Sequence, residues 1–127
     1  MISQDPIFLT KALESLIGAE SEFLNQRYNN SVNRSYYACF QAAIAEAGIA
    51  ARADNWGHDF VQAQFNGVLI NRRHLYPAEI RTILARNYAL RVRADYAEDM
   101  VSRTDAERAL RRTRLLVTTI EQGGEEK

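Results

Sequence analysis

The sequence predicts an all-α protein, a single up-and-down bundle of four to five helices, from three observations. Its 127 residues include only two prolines and six glycines and are rich in residue types that favour helices. Apolar residues recur at spacings of three and four, the period of a helix that buries one face. No stretch shows the alternation of apolar and polar residues that is typical of a strand. We expect one domain over residues 1–127, with 1–5 and 123–127 frayed.

The first helix is expected over residues 6–26 and is followed by a turn. Asp5 offers an acceptor to the first amides of this helix, and the fixed backbone of Pro6 suits its first position. Residues 27–30 include two asparagines and have the composition of a turn. The chain is therefore expected to reverse direction between the first two helices.

The second helix is expected to begin after Ser31, its N-cap, and to run to about Ala47, where Gly48 ends it. Apolar residues cover most of its circumference. A helix of this kind hides its surface only if neighbours pack against several sides of it. We therefore expect the second helix at the centre of the bundle.

The remaining three helices are expected over residues 58–71, 77–96 and 104–122. Pro77 suits the first position of the fourth helix. Thr104 and Glu107 have the spacing of a capping box, in which each side chain accepts a hydrogen bond from a free amide at the start of the fifth helix. The glycines at 123–124 are expected to stop that helix.

The fourth helix carries polar residues on its apolar face. The apolar residues that recur there are Ile80, Ile83, Leu84, Leu90 and Ala94. At about 100° per residue, Asn87 and Arg91 project from the middle of the same face. Because burying an unpaired polar group is costly, the pair indicates either a polar site at a dimer seam or cleft, or a structural role. In the structural role, Arg91 reaches the rim of the face or pairs with Asp95 one turn on.

The composition argues against several classes of protein. Apolar runs are far shorter than a membrane span, and the N-terminus lacks the basic and apolar regions of a secretory signal, so we expect a cytoplasmic protein without membrane contact. The single cysteine, Cys39, cannot form an internal disulfide and is expected to be a buried, inert thiol. The sequence has no Cys/His cluster and no Gly-rich phosphate loop, and we expect neither a metal nor a cofactor.

The formal net charge is zero, but the basic residues are unevenly placed. Residues 72–114 hold eleven arginines against six acidic residues, and fourteen of the sixteen basic residues in the chain are arginine. The arginine fork suits phosphate and carboxylate groups. The basic segment is consistent with RNA or an acidic partner, and also with solvated helix faces under a GC-rich coding bias.

Three motifs stand in order along the chain and are read together. They are Asn33-Arg34-Ser35-Tyr36-Tyr37-Ala38-Cys39-Phe40, then Gly57-His58 with Phe65 downstream, then Leu90-Arg91-Val92-Arg93-Ala94-Asp95-Tyr96. Over roughly residues 8–120 the chain thereby resembles HEPN domains (higher eukaryotes and prokaryotes nucleotide-binding), in particular the small stand-alone bacterial type. The resemblance implies a bundle of four to five helices, usually a homodimer, which often pairs with a small nucleotidyltransferase antitoxin.

Active HEPN proteins are metal-independent ribonucleases with an arginine followed, after four to six residues, by a histidine on one helix. The resemblance assigns the arginine to Arg91, but the fifth position after it is Tyr96, whose phenol carries protons less readily than imidazole near neutral pH. A second register starts at Arg86 and also lacks the histidine. The resemblance implies these catalytic candidates: Arg91, Tyr96 and Asp95. The candidates for binding RNA or phosphate are Arg86, Asn87 and Arg93.

The two histidines of the chain lie elsewhere. His58 is six residues after Arg52 and matches the spacing formally, but this pair straddles an expected loop, so we interpret the match as chance. His74 follows two arginines in another expected loop and is interpreted as a solvated surface residue. Neither histidine is therefore expected to complete the motif.

Two functions of different classes remain after the sequence analysis. The first is a metal-independent ribonuclease toxin, part of a toxin–antitoxin or defence system, in which Arg91 and Tyr96 stand in place of the arginine and histidine. The second is a non-catalytic dimeric module that binds a nucleotidyltransferase partner, a nucleotide or RNA. The polar pair on the fourth helix favours the first function, and the missing histidine favours the second.

Overall fold

The computed structural model describes residues 5–48, 57–71, 76–98 and 100–125, with the side chains of 70, 71, 124 and 125 excepted. Its helices are α1 (Pro6–Leu24), α2 (Tyr28–Ala47), α3 (His58–Asn71), α4 (Ile80–Tyr96) and α5 (Arg103–Glu125). The described residues contain no strand, and the predicted all-α helical bundle is confirmed. Arg52 and His74, and the chain ends 1–4 and 126–127, lie outside the described residues.

Helix α2 is the centre of the bundle, as its apolar circumference predicts, because it packs against each of the other four helices. Its fully buried alanines allow these neighbours to approach closely: Ala38, Ala42, Ala43 and Ala45. The largest side chains that fill the space between helices are Phe65, Ile44, Leu69, Ile80 and Leu84. Burial of this apolar surface is the main favourable term in folding.

Helix α1 begins as predicted and ends slightly earlier than predicted. The carboxylate of Asp5 accepts hydrogen bonds from the amides of Ile7 (2.9 Å) and Phe8 (3.2 Å), so the predicted cap is confirmed. The helix ends at Leu24 because Gln26 adopts a left-handed backbone conformation, with φ at 64°.

The predicted start of α2 at Ser31 is wrong, since the helix begins at Tyr28 and residues 28–30 are helical rather than a turn. Ser31 is buried inside the helix, and its hydroxyl donates to the carbonyl of Ala19 on α1 at 2.9 Å. The hydroxyl therefore links two helices instead of capping one. The other end is as predicted, because Gly48 closes α2 in the left-handed conformation.

The predicted starts of α4 and α5 are each off by a few residues. Pro77 lies in a turn before α4, which begins at Ile80. The capping hydroxyl of α5 belongs to Ser102, which accepts from the amide of Asp105 at 3.1 Å, so the capping box predicted at Thr104 is wrong. The error at α5 arises because several residues near its start carry side chains that are suitable caps, whereas α4 begins without a side-chain cap.

Helix α5 also continues past the glycines that were expected to stop it. Gly123 lies inside α5 and is buried against Tyr76. A Cβ atom at Gly123 would lie 2.8 Å from the hydroxyl oxygen of Tyr76, closer than packed atoms tolerate. The glycine is therefore explained by the close approach of a tyrosine rather than by a helix end. None of the helices in the described part is long and apolar enough to cross a membrane.

Candidate functional site

Arg91 projects from α4 toward α2 and is held there by polar and aromatic neighbours. Its Nε atom lies 3.5 Å from a carboxylate oxygen of Asp95 and donates to the side-chain oxygen of Asn33 at 3.4 Å. Its Nη2 atom donates to the hydroxyl of Tyr37 at 3.3 Å. The guanidinium carbon also lies 5.3 Å from the ring centre of Tyr36, a cation–π distance. The Arg91 side chain remains 23% exposed, so a ligand can reach it.

His58, the first residue of α3, lies in the same pocket as Arg91. Its Nδ1 atom is 3.0 Å from the hydroxyl of Tyr36, and its ring stacks on Tyr88 with centroids 3.7 Å apart and planes at 13°. The residues that line this cavity of about 230 Å³ are Tyr36, Tyr37, Phe40, His58, Tyr88 and Arg91. We call this set the aromatic pocket. It combines a cation, an imidazole and stacking surfaces at the junction of α2, α3 and α4.

The surroundings of His58 favour its neutral form. Burial lowers the pKa of His58 below the ordinary 6.5, and the charge of Arg91 lowers it further, while Asp59 opposes the change. Burial also raises the pKa of Tyr36 well above its ordinary value, although Arg91 opposes that shift. At neutral pH the pocket therefore presents an uncharged imidazole that can accept a proton and a phenol that keeps its own proton.

The structure changes the interpretation of the histidine and the tyrosine in the motif. Tyr96 is 78% exposed at the end of α4, and no hydrogen bond or ring contact among the described residues joins it to Arg91. Five helical positions rotate Tyr96 by about 140° away from Arg91. The histidine that lines the same pocket as Arg91 is His58, the first residue of α3, which lies 33 residues earlier in the sequence. The signal that could have found it was the Gly57-His58 motif, considered apart from Arg52.

Asn87 is fully buried where α4 meets α2 and α5. Its amide nitrogen donates to the hydroxyl of Thr113 at 2.8 Å and lies 3.4 Å from both the carbonyl of Ala109 and the sulfur of Cys39. Its amide oxygen accepts from Nε of Arg112 at 2.9 Å. A direct contact between Asn87 and RNA is not compatible with this burial. Asn87 instead holds two helices together and orients an arginine.

Cys39 takes part in the same buried network. The thiol lies 3.3 Å from the hydroxyl of Thr113, and Cys39 has no exposed surface. Burial raises the pKa of the Cys39 thiol to about 11, so it stays protonated at neutral pH. The predicted buried thiol is thereby confirmed.

The other arginines predicted to bind phosphate lie on the opposite side of α4, facing α5. Arg86 and Arg93 line a cleft of about 460 Å³ whose full lining is Arg86, Ala89, Leu90, Arg93, Asp105, Arg108 and Arg112. We call this set the arginine cleft. Arg93 pairs with Asp105 at 3.5 Å across it. The predicted site residues therefore divide between two places, with Arg91 in the aromatic pocket, paired with Asp95 beside it, and with Arg86 and Arg93 in the arginine cleft.

Neither site has the ligands of a metal centre. In the part of the chain that the structure describes, no group of three or more His, Cys, Asp or Glu side chains could hold a metal ion. The groups that both sites offer are guanidinium donors, which suit phosphate oxygens. The aromatic pocket adds an imidazole that can transfer a proton.

The helical bundle brings an arginine and a histidine together in one aromatic pocket. The family model of the HEPN domain matches residues 6–123, and the chain belongs to this family. A search of curated proteins found no match to the chain. Membership in the family supports a role related to nucleotides or RNA in general.

Proposed function

We propose that this chain is a metal-independent endoribonuclease in which Arg91 binds the scissile phosphate and His58 accepts the proton of the attacking 2′-hydroxyl. The observation that carries the proposal is that both side chains line the aromatic pocket. The pocket supplies from α3 the imidazole that the motif on α4 lacks. The neutral form of His58 is the form that a general base requires.

The reaction needs no group beyond these side chains, the RNA and water. The mechanism uses the tautomer of His58 that carries its proton on Nδ1, 3.0 Å from the oxygen of Tyr36, so that Nε2 offers its lone pair to the 2′-hydroxyl. The 2′-oxygen forms a bond to the adjacent phosphorus, and the bond from phosphorus to the 5′-oxygen breaks. The 5′-oxygen keeps the electron pair and takes a proton from water, and the hydroxide that remains takes the proton from His58, which restores the base. Arg91 stabilises the negative charge that develops on the phosphoryl oxygens. The products are a 2′,3′-cyclic phosphate and a 5′-hydroxyl.

The replacement His58→Phe tests the role of the imidazole. Phenylalanine keeps a ring that stacks on Tyr88 but cannot accept a proton, so we expect cleavage in EDTA to fall by about 10²- to 10⁴-fold. Mapping the cut ends of tRNA and total RNA measures the rate and the products. The matched control is Tyr96→Phe, which removes an exposed hydroxyl outside the pocket and should leave the rate unchanged. Equal rates for wild type and His58→Phe would exclude His58 as the base.

The same assignment predicts a pH dependence. The base works only when neutral, and burial lowers the pKa of His58 below the ordinary 6.5, so the neutral fraction reaches one half only at a pH below that value. We expect the cleavage rate of the wild type to decline toward low pH and to reach half of its plateau value at a pH below 6.5. Initial rates in buffers of constant ionic strength measure this. A half-maximal rate at a pH above 6.5 would contradict the assignment.

The second candidate function is binding of RNA or a nucleotide without cleavage. It is favoured by the polar partners that Arg91 already has, because Asn33, Tyr37 and Asp95 satisfy part of its hydrogen-bonding capacity. A guanidinium engaged in this way can still contact a phosphate but stabilises developing charge less. Binding that depends on Arg91, without cut ends in EDTA, would establish this function in place of the first.

Family membership extends the proposal to partners. We place the chain in a toxin–antitoxin or defence system, as a homodimer in the cytoplasm that pairs with a small nucleotidyltransferase. The exposed side chains of Tyr96 (78%) and Met100 (72%) near the end of α4 offer apolar surface to a second copy. Light scattering after size exclusion should give twice the chain mass of 14.5 kDa. A monomer at all concentrations would contradict the dimer. As a control, the Tyr37→Phe variant should give the same mass in solution as the wild type.

A further inference from the structure

The arginine cleft has more positive charge than its own residues can neutralise. It contains four guanidinium groups and one carboxylate, Asp105, which lies 3.5 Å from Arg93. Neither Arg86 nor Arg108 forms an ion pair or a hydrogen bond with any residue in the described part of the chain. Like charges placed together in this way raise the free energy of the folded state unless an anion joins them.

One of these arginines is fixed by the interior of the protein. Arg112 donates from Nε to the oxygen of Asn87 at 2.9 Å, and Asn87 is fully buried and itself bonded to Thr113 at 2.8 Å. Burial lowers the pKa of Arg112, and the neighbouring charges of Arg86 and Arg108 lower it further. The guanidinium of Arg112 is thus held in one direction beside the positive charges of Arg86 and Arg108. An arrangement of this kind resembles a prepared anion site more than a set of solvated side chains.

The arginine cleft is separate from the aromatic pocket. At about 100° per residue, Arg86 and Arg93 project in nearly the same direction from α4, whereas Arg91 projects about 140° to 160° away from them. The helix therefore stands between the two sites. Ala89 and Leu90 are the apolar residues of the cleft lining, which includes no aromatic side chain on which a base could stack.

We propose that the arginine cleft binds two neighbouring phosphate groups, those of an RNA backbone. Guanidinium forks on both walls suit phosphate oxygens, and the lining offers no aromatic ring on which a base could stack. The polyphosphate of a free nucleotide has the same chemistry and is the other source that the experiment separates. The proposal does not depend on cleavage at the aromatic pocket.

The test compares RNA binding by two variants of equal charge. The double variant Arg86→Gln with Arg108→Gln removes two cleft arginines that have no partner among the described residues, so we expect it to fold normally. The control, Arg111→Gln with Arg114→Gln, removes two arginines that pair with Glu107 and Glu20. Fluorescence anisotropy with a short 2′-O-methyl RNA, which cannot be cleaved, measures the dissociation constant from 50 to 200 mM salt.

We expect the cleft variant to bind about tenfold or more weakly and to lose about 1.4 from the slope of log affinity against log salt, about 0.7 for each phosphate contact. The control variant should bind like the wild type. Equal losses in both variants, or no loss in either, would overturn the proposal. If the wild type binds pyrophosphate more tightly than the RNA, and the cleft variant loses that binding, the site belongs to free nucleotides and the RNA backbone is overturned as its ligand. A chain that cleaves no RNA can still pass this test.

Discussion

Replacing Arg91 with alanine is expected to reduce RNA cleavage in EDTA by about 10²- to 10³-fold, the usual effect of removing one donor to a developing oxyanion. The guanidinium carbon lies 5.3 Å and 5.4 Å from the ring centres of Tyr36 and Tyr37, and the group also contacts Asn33 and Asp95, so its direction is set before any ligand binds. Alanine removes the charge and the donors together. Single-turnover rates on tRNA with excess protein measure the loss directly.

Two further variants show whether the charge or the shape of Arg91 matters. Arg91→Lys keeps the charge but loses the planar fork, and we expect a rate between those of alanine and the wild type. Asp95→Asn keeps the shape of the ion-pair partner but removes its charge, and should leave the fold intact because the pair is partly exposed. Circular dichroism and thermal unfolding confirm that each variant is folded. Cleavage by folded Arg91→Ala at the wild-type rate would exclude the proposed mechanism.

Replacing Asn87 with alanine is expected to lower the free energy of unfolding by about 2–3 kcal/mol. The replacement removes the amide that donates to the buried hydroxyl of Thr113 and the oxygen that accepts from Nε of Arg112, and it opens a cavity between α4 and α5. Unfolding in urea, followed by circular dichroism, measures the change as a lower urea concentration at the midpoint, with an unchanged dependence of the free energy on urea concentration.

The matched control for Asn87 is Asn66→Ala on α3. Asn66 is an exposed asparagine that accepts a hydrogen bond from Gln62 within its own helix, so we expect a change within about 0.5 kcal/mol. If Asn87→Ala unfolds at the same urea concentration as Asn66→Ala, the buried network does not stabilise the fold as argued. In that case Arg112 is not fixed by the interior either.

The sequence was sufficient to predict the five helices and the central position of α2, because apolar periodicity reports directly which faces are buried. It did not place the starts of α2 and α5. Ser31 has the right side chain for a cap, but its hydroxyl bonds to Ala19 on another helix, and Ser102 caps α5 in place of Thr104. The hydroxyl that caps a helix depends on which helix packs nearby, and the local sequence pattern does not identify that neighbouring helix.

The candidate site was predictable in part for the same reason. Arg91 was identified from a motif on its own helix, together with its pairing to Asp95 at four positions on. His58 was missed because sequence spacing relates it to Arg52, whereas folding brings it beside Arg91. The burial of Asn87, and its contact with Arg112, likewise depend on how α4 and α5 cross. Contacts between helices decide these roles.

The aromatic pocket can form only late in the synthesis of the chain. Tyr36 on α2 contacts His58 on α3 and both Tyr88 and Arg91 on α4, so no two of these helices complete the pocket. A ribosome synthesises the chain from its N-terminus, and α4 is the fourth of the five helices to emerge. The nascent chain therefore carries the phenol and the imidazole before the arginine exists. The pocket therefore cannot act on the messenger RNA or the ribosome that is producing the chain until α4 has left the exit tunnel and packed against α2 and α3.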